Sequence, residues 1–390
     1  MKESRTLHER QISLGTALML CVMAAVVGIA SCYVGMSWRT QAVQNKLREI
    51  DRLVADRYVG ELDTAQLADY AAAGYIAGLD DQWSGYIPAE QYAAYALRSE
   101  GKSSGIGASA VTREDSIRIS LVYDGSPAQA AGLEKGDWII GADGLTVAAD
   151  GAQAVVDAIQ GEEGEPVELT VEKLSGAVEQ LTLTRAVVPQ KMAWGTLLDG
   201  GVGYLRIESF VEGSAEQFQT VLDALLEQGA RALVLDVRFN GGGLVKEMSA
   251  MLDPLLPAGT IITLTGKDGK STVYSSDEAM LDLPLAVLID DRSISAAEFF
   301  AAALQEYERA TLVGVHTTGK GRAQRTYTLS DGSAVNLSVE TYYTPEGRSL
   351  ADVGIAPDVE VALSDEQRAD FYFLTAENDT QLQKALEILA

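Results

Sequence analysis

Ala232-Leu233-Val234-Leu235-Asp236-Val237, running into Arg238-Phe239-Asn240-Gly241-Gly242-Gly243, decides the fold of this chain. The first half is apolar up to Asp236, as in strands covered on both faces. The second half is a glycine-rich loop in which the backbone turns freely. Leu285-Ala286-Val287-Leu288-Ile289-Asp290 is a second strand of the same kind and ends just before Ser295. Val202-Gly203-Tyr204-Leu205-Arg206-Ile207 is a third. Between them, Ala215 to Gln228 has amphipathic helical spacing and is closed by Gly229. Strands alternating with helices predict an α/β crossover sheet covered by helices over residues 189 to 363. Loops beyond strand ends carry catalytic side chains, and both the triple glycine and Ser295 fall there.

Ser295 lies in Ser293-Ile294-Ser295-Ala296-Ala297-Glu298. A serine hydroxyl needs a base to become a nucleophile. The chain has only two histidines, His8 and His316. Lys320, in Gly319-Lys320-Gly321-Arg322-Ala323-Gln324, offers another base, because burial lowers a lysine pKa and frees a neutral amine. His316 with Asp236 or Asp290 is the rival base pair, without a local signature. The triple glycine lacks the Gly-Lys-Ser/Thr that reaches phosphates. It fits an oxyanion hole better, since bare glycine lets backbone N–H groups approach a developing charge. Glu298 reads as a helix residue behind the nucleophile turn.

Ser-x-Ser-Ala-x-Glu followed by Gly-Lys-Gly-x-x-Gln resembles the carboxy-terminal processing proteases, also called tail-specific proteases. The resemblance implies a catalytic set of Ser295, Lys320 and Gln324, with the lysine 25 residues after the serine and the glutamine 4 after the lysine. It implies a protease core of the ClpP/crotonase-like type without a cofactor. It also implies oxyanion donors at Gly242 and Ala296, with Gly241 or Gly243 as substitutes for Gly242. Tyr343-Thr344-Pro345-Glu346-Gly347-Arg348, Gly354-Ile355-Ala356-Pro357-Asp358-Val359 and Asp379 to Leu386 resemble further family stretches, as does Leu79-Asp80-Asp81 through Tyr86. Three positions depart from the family. Gly241 stands for a proline, Thr318 for a phenylalanine, and Gln160 for an arginine after the helix of the preceding module.

That module spans residues 99 to 188. Ser116 to Val122 is a β-type run, followed by Gly125-Ser126-Pro127-Ala128, Gly132-Leu133, Lys135-Gly136-Asp137-Trp138-Ile139-Ile140 and Asp143-Gly144. Ser126 caps a short helix, Pro127 sits in its first turn, and Gly132 ends it. The pattern resembles PDZ domains. In these, a glycine-rich loop binds a peptide's terminal carboxylate and the peptide adds a strand. The resemblance implies peptide contacts at Gly105, Ile106, Gly107 and Ala108, and an apolar pocket from Val155 and Ile159.

The chain has 390 residues, 47% of them apolar, and a net charge of −26. That balance argues against nucleic acid as a partner. Cys21 and Cys32 are the only cysteines, and with two histidines a metal site is not expected. The run Ile12 to Trp38 carries no charge and is about 27 residues long, where about 20 span a bilayer. It is expected to be a transmembrane anchor; Ile29-Ala30-Ser31-Cys32 is its rival as a lipoprotein cleavage box. The expected order is a cytoplasmic tail (1–11), the anchor (12–38), a helical segment (39–98), the PDZ module (99–188), the protease core (189–363) and a C-terminal helical segment (364–390). A single-pass cell-membrane protein with an extracytoplasmic catalytic domain follows, taking protein or peptide substrates with free C-termini. A homo-oligomer stays open. The alternative is a catalytically silent, membrane-anchored PDZ scaffold.

Overall fold

The computed structural model describes residues 41–390 together with Met19, Val22 and Met23. The expected tail and anchor, residues 1–38, otherwise lie outside the described residues. Among the described residues no helix is long and apolar enough to cross a membrane. The chain divides after Leu67 into two units. In the first, residues 41–57 form a helix with mostly exposed side chains. The second unit, Ala68–Ala390, holds the sheets and sites described below.

A six-stranded sheet forms the core, in the order Ala193–Leu198, Val202–Ile207, Ala232–Asp236, Leu285–Ile289, Ala310–Gly314, Val359–Glu360. The first pair is antiparallel and the others are parallel. The three strands expected from sequence are all central, and every residue in them is buried. Strand alternation splits their side chains between two layers. Leu205, Ile207, Leu233, Leu235, Val287 and Ile289 pack with Phe218, Met248, Phe299 and Phe300, from helices Ser214–Glu227, Val245–Leu252 and Ala296–Glu306. Tyr204, Val234, Ala286 and Leu288 face the other way, onto Leu382 and Ala385 of helix Thr380–Leu389. Each such large side chain contributes about 1.5–3 kcal/mol on burial.

The topology also gathers the chemistry. The strands Ala232–Asp236, Leu285–Ile289 and Ala310–Gly314 are adjacent and parallel, so the loops after them emerge at one edge. These loops carry Gly241–Gly243, Ser295 and Lys320. In open α/β sheets, sites form beyond the carboxyl ends of the strands.

A second sheet is built around strand Ala334–Tyr343, which pairs with Gly85–Ile87, Gly259–Gly266 and Arg322–Thr328. Gly85–Ile87 corrects the expectation of a helical stretch through residue 98. The turn chemistry of Asp80 to Ser84 breaks the helix Thr64–Ala77, and the backbone that follows pairs with Ala334–Asn336. Helix returns at Ala89–Ser99.

Residues 102 to 189 form the PDZ module around its own core, which includes Ile117, Ile119, Ile139, Val155, Val167 and Leu169. Ser126 caps the helix Pro127–Ala130 by accepting from the Gln129 N–H at 3.1 Å, and Gly132 has φ +74°. Beyond the protease core, Asp365–Ala369 and Thr380–Leu389 are helical and Phe371–Phe373 is one 3-10 turn.

Candidate active site

Ser295 opens helix Ala296–Glu306 in a left-handed conformation, with φ +57° and ψ −121°. A non-glycine residue there costs about 1–3 kcal/mol and persists only where its surroundings fix it. The Ile294 N–H donates to the Asn240 carbonyl at 2.9 Å, tying the serine turn to the glycine loop. Gly242 closes against it. A Cβ on Gly242 would lie 2.7 Å from the Ile294 carbonyl and 2.9 Å from the Ser295 Cβ. Ser293, the neighbouring hydroxyl, is fully buried and donates to the Val237 carbonyl at 2.8 Å, which makes it structural. The Ser295 hydroxyl faces the Tyr342 phenol. Burial pushes that phenol up to about 12, with the serine contact acting against the rise.

Glu298 joins the serine to the lysine loop. Its side chain is fully buried in the first turn of the helix. Oε2 accepts from the Ser295 N–H and from the Lys320 N–H, each at 2.8 Å. Oε1 accepts from the Gly319 N–H and the Thr317 hydroxyl, each at 2.6 Å. The two amides on Oε2 lie within twice their common bond length of each other. Glu298 is therefore more than the helix residue expected from sequence. Its spacing of three from an N-terminal serine was the legible signal.

Lys320 is half-buried, and its Nζ stands 4.8 Å from the centre of the Trp83 ring. Burial lowers its pKa, while the Glu298 and Asp81 charges act against that shift. Among the described residues no hydrogen bond joins Nζ to Ser295 or Gln324. Gln324 directs its amide nitrogen at the Arg322 carbonyl, 2.7 Å away, and at the Ser338 hydroxyl at 3.2 Å. The floor under the lysine comes from a segment to which no role had been given. Asp81 accepts from the Ser84 hydroxyl at 2.6 Å, and Ser84 accepts from the Ser338 N–H at 3.0 Å. That pairing seats Trp83 beside the lysine.

The glycine loop holds a surprise. The Gly242 N–H, expected to face an oxyanion, donates to Asn240 Oδ1 at 2.8 Å. A short side-chain turn has captured it. The N–H groups of Ala296, Gly241 and Gly243 have no acceptor among the described residues. The loop is anchored by Arg238, which donates to Asp236 at 2.9 and 2.6 Å, to Asp379 at 3.1 and 2.8 Å and to Gln381 at 2.9 Å. Burial opposes ionisation of Asp236, but Arg238 and Arg206 outweigh it and hold the carboxyl down at about 2.

The rival triad finds no partners. His316 is exposed, with Nδ1 3.0 Å from the Thr317 carbonyl. Asp236 is taken by the two arginines, and Asp290 accepts from the Phe239 N–H at 2.9 Å and the Ser293 hydroxyl at 3.1 Å.

In the PDZ module, the N–H groups of Ile106 and Gly107 have no acceptor among the described residues. Their carbonyls accept from Ala128 and Tyr123, and Ala108 starts a strand. Ile159 is partly buried, whereas Val155 is fully covered in the module's own core. Val155 is a core residue here rather than an open pocket wall. Arg185 pins the end of helix Ala152–Ile159 by donating to the Ala158 and Ile159 carbonyls at 2.6 and 3.1 Å.

A strained serine at a helix start, a half-buried lysine on the next loop and a PDZ module ahead of a crossover sheet define a multi-domain α/β serine peptidase. Residues 201–361 match peptidase family S41 and residues 118–173 match the PDZ domain. The carboxy-terminal processing protease CtpA of Bacillus subtilis is 30% identical over 352 residues, covering 88% of this chain and 76% of that protein. The carboxyl-terminal-processing protease of Synechocystis is 31% identical over 322 residues, covering 80% and 75%. A putative S41 protease from Bacteroides fragilis shares the fold, with a TM-score of 0.58 at 19% identity over 85% of this chain and 92% of that one. The chain belongs to peptidase family S41 and is a serine protease related to the carboxy-terminal processing proteases.

Glu298→Gln replaces two acceptor oxygens by one and adds a donor facing N–H groups. Hydrogen bonds to a charged group contribute about 1.5–3 kcal/mol each. We expect a lowered thermal midpoint and an activity loss of about tenfold or more, measured by calorimetry and a peptide assay. Wild-type values in both would sink the clamp.

Proposed function

We propose that this chain is a serine endopeptidase in which Ser295 attacks the scissile carbonyl and neutral Lys320 takes the hydroxyl proton, returning it to the leaving amine. The reading rests on one observation above all: a single Glu298 oxygen binds the backbone amides of both Ser295 and Lys320. The lowered lysine pKa supports it, since a neutral amine is what the base must be. For the transfer, Nζ leaves the Trp83 face and reaches the serine. Leaving is easier for the neutral amine, because the ring face attracts only the cation. Gln324 stands on the strand Arg322–Thr328, which follows the lysine loop, as an orienting amide. The loop Asn240–Gly243 and the Ala296 N–H supply the oxyanion donors. Gly242 contributes once its amide is released from Asn240; the unengaged Gly241 and Gly243 amides are the alternatives.

The substrates, on this reading, are extracytoplasmic proteins held by their carboxyl termini on the free amides of Ile106 and Gly107. The uncharged run 12–38 anchors the chain to the cell membrane in a single pass. Proteolysis is expected from wild type and not from Ser295→Ala; equal proteolysis by both would overturn the nucleophile assignment.

Lys320→Ala is expected to abolish turnover while the protein stays folded, and Lys320→Arg to fail equally, because arginine does not deprotonate. Activity in Lys320→Ala with loss in His316→Ala would overturn the assignment. The sign of the pH dependence follows from the base. The amine is neutral above its pKa, so kcat/KM rises with pH, by about tenfold per unit well below that pKa. Burial moves this rise to lower pH than a free lysine would show. A flat profile from pH 5 to pH 9 would count against lysine. For the PDZ module, a substrate peptide with a free C-terminus is expected to be cleaved about tenfold faster than its amide, reflecting about 1.5 kcal/mol of lost charged hydrogen bonding. Equal rates would leave the module as a spacer.

A further inference from the structure

Phe239 is a second strained residue at the site. It precedes Asn240 with φ +59°, a genuine outlier for a bulky side chain. Its N–H donates to Asp290 at 2.9 Å, and its ring is held from outside the loop. The Phe371 ring stacks on it with centres 4.3 Å apart and planes 21° apart. Tyr372 meets it edge-on at 6.0 Å, and the Arg292 guanidinium lies 4.9 Å from its centre. Phe371 is buried, at 7% exposure, beneath Arg206 and Arg238, each 4.8 Å from its ring centre.

Phe371 does not belong to the loops it touches. It lies in the 3-10 turn Phe371–Phe373, about 130 residues downstream of Phe239. The same segment reaches the serine loop, where Arg368 forks onto both oxygens of Asp291 at 2.5 and 2.6 Å. It also carries the PDZ module: Arg113 donates to the Ala369 carbonyl and to Asp370, each at 2.7 Å, and Arg118 stands 3.8 Å over Phe373.

We propose that Phe371 is a positioning residue for the loop Asn240–Gly243, acting by holding Phe239 in its left-handed conformation. The inference rests on that loop being the oxyanion-binding element. Its physical basis is that strained backbone survives only where surroundings over-determine it. If Phe239 relaxes to negative φ, the peptide leading into Asn240 turns. Asn240 then no longer presents its carbonyl to Ile294, the bond that ties the loop to the serine turn, or its Nδ2 to the Ile207 carbonyl, the bond that anchors the loop to the sheet.

The test uses the full chain, one peptide substrate, and a peptide aldehyde of the same sequence. The aldehyde forms a tetrahedral serine adduct whose oxyanion needs the same donors. Phe371→Leu keeps the apolar bulk and removes the stack; Phe371→Tyr keeps the stack. Phe371→Leu is expected to lower kcat about tenfold or more, with KM within about twofold and with the aldehyde Ki rising in step with the loss in kcat/KM. Phe371→Tyr is expected to restore all three. Phe373→Leu, beneath the PDZ module, is expected to leave them at wild-type values. Wild-type kcat and aldehyde affinity in Phe371→Leu, or an equal loss in Phe373→Leu, would overturn the inference. Full activity in Ser295→Ala would overturn the nucleophile assignment and this inference with it. A dead Ser295→Ala beside an intact Phe371→Leu would overturn this inference alone.

Discussion

One buried carboxylate holds the site together. Glu298 is withdrawn from water and accepts four hydrogen bonds from two segments that share no strand pairing. An isolated charge in such a place would be prohibitive, and it is tolerated because its oxygens are fully engaged. Three of the four donors are backbone N–H groups, so the carboxylate reads loop conformation more than side-chain identity. Without it, the Ser295 turn and the lysine loop would be neighbours only by virtue of parallel strands. Strand register sets such placement to within a residue, whereas proton transfer needs hydrogen-bond distance.

A second ionic group works on the other side of the serine. Arg238 lies between Asp236 and Asp379, with Arg206 also against Asp236 and Tyr204 donating to it at 2.6 Å. Breaking a buried pair by removing one partner costs about 3–5 kcal/mol, although the pair itself adds little net stability. Its contribution is better described as specificity. It fixes where the strand Ala232–Asp236 ends and which way the glycine loop leaves it. Because Asp379 also caps helix Thr380–Leu389, the end of the chain and the glycine loop share one anchor.

What the sequence made legible follows local physics. The three apolar strands, the amphipathic helix closed by Gly229 and the Ser126-Pro127 helix start all depend on neighbours in the chain. Ser295, Lys320 and Gln324 were readable through family spacing; the structure joins the Ser295 and Lys320 loops through Glu298, while Gln324 lies on the strand Arg322–Thr328 with partners of its own. The rest depends on partners far away in sequence. Glu298 reads as a capping residue of its own helix, and its second role appears only when the loop from Thr317 to Lys320 arrives. Trp83 acquires a place only through the Ser84–Ser338 pairing, and Gly85–Ile87 becomes a strand only because Ala334–Asn336 is there to pair with it. Val155 shows the converse. Its apolar helical spacing was legible, but whether it faced a ligand or the module's own core was a tertiary question, which the fold answers with the core.

The arrangement of Lys320 follows from the same balance of forces. Its ammonium has the Trp83 face and the Glu298 and Asp81 charges favouring the cation, while burial opposes it. The net direction of the pKa is downward, so burial outweighs the two carboxylates. The strained turns at Phe239 and Ser295 lie on either side of the Ile294–Asn240 bond, and Asp290, which accepts from the Phe239 N–H and the Ser293 hydroxyl, joins the same two loops. The segment from Arg368 to Phe373 touches the glycine loop through Phe371, the serine loop through Arg368 and the PDZ module through Ala369, Asp370 and Phe373. Packed side chains and ion pairs thus link the PDZ module to the loops around Ser295 through residues 368 to 373.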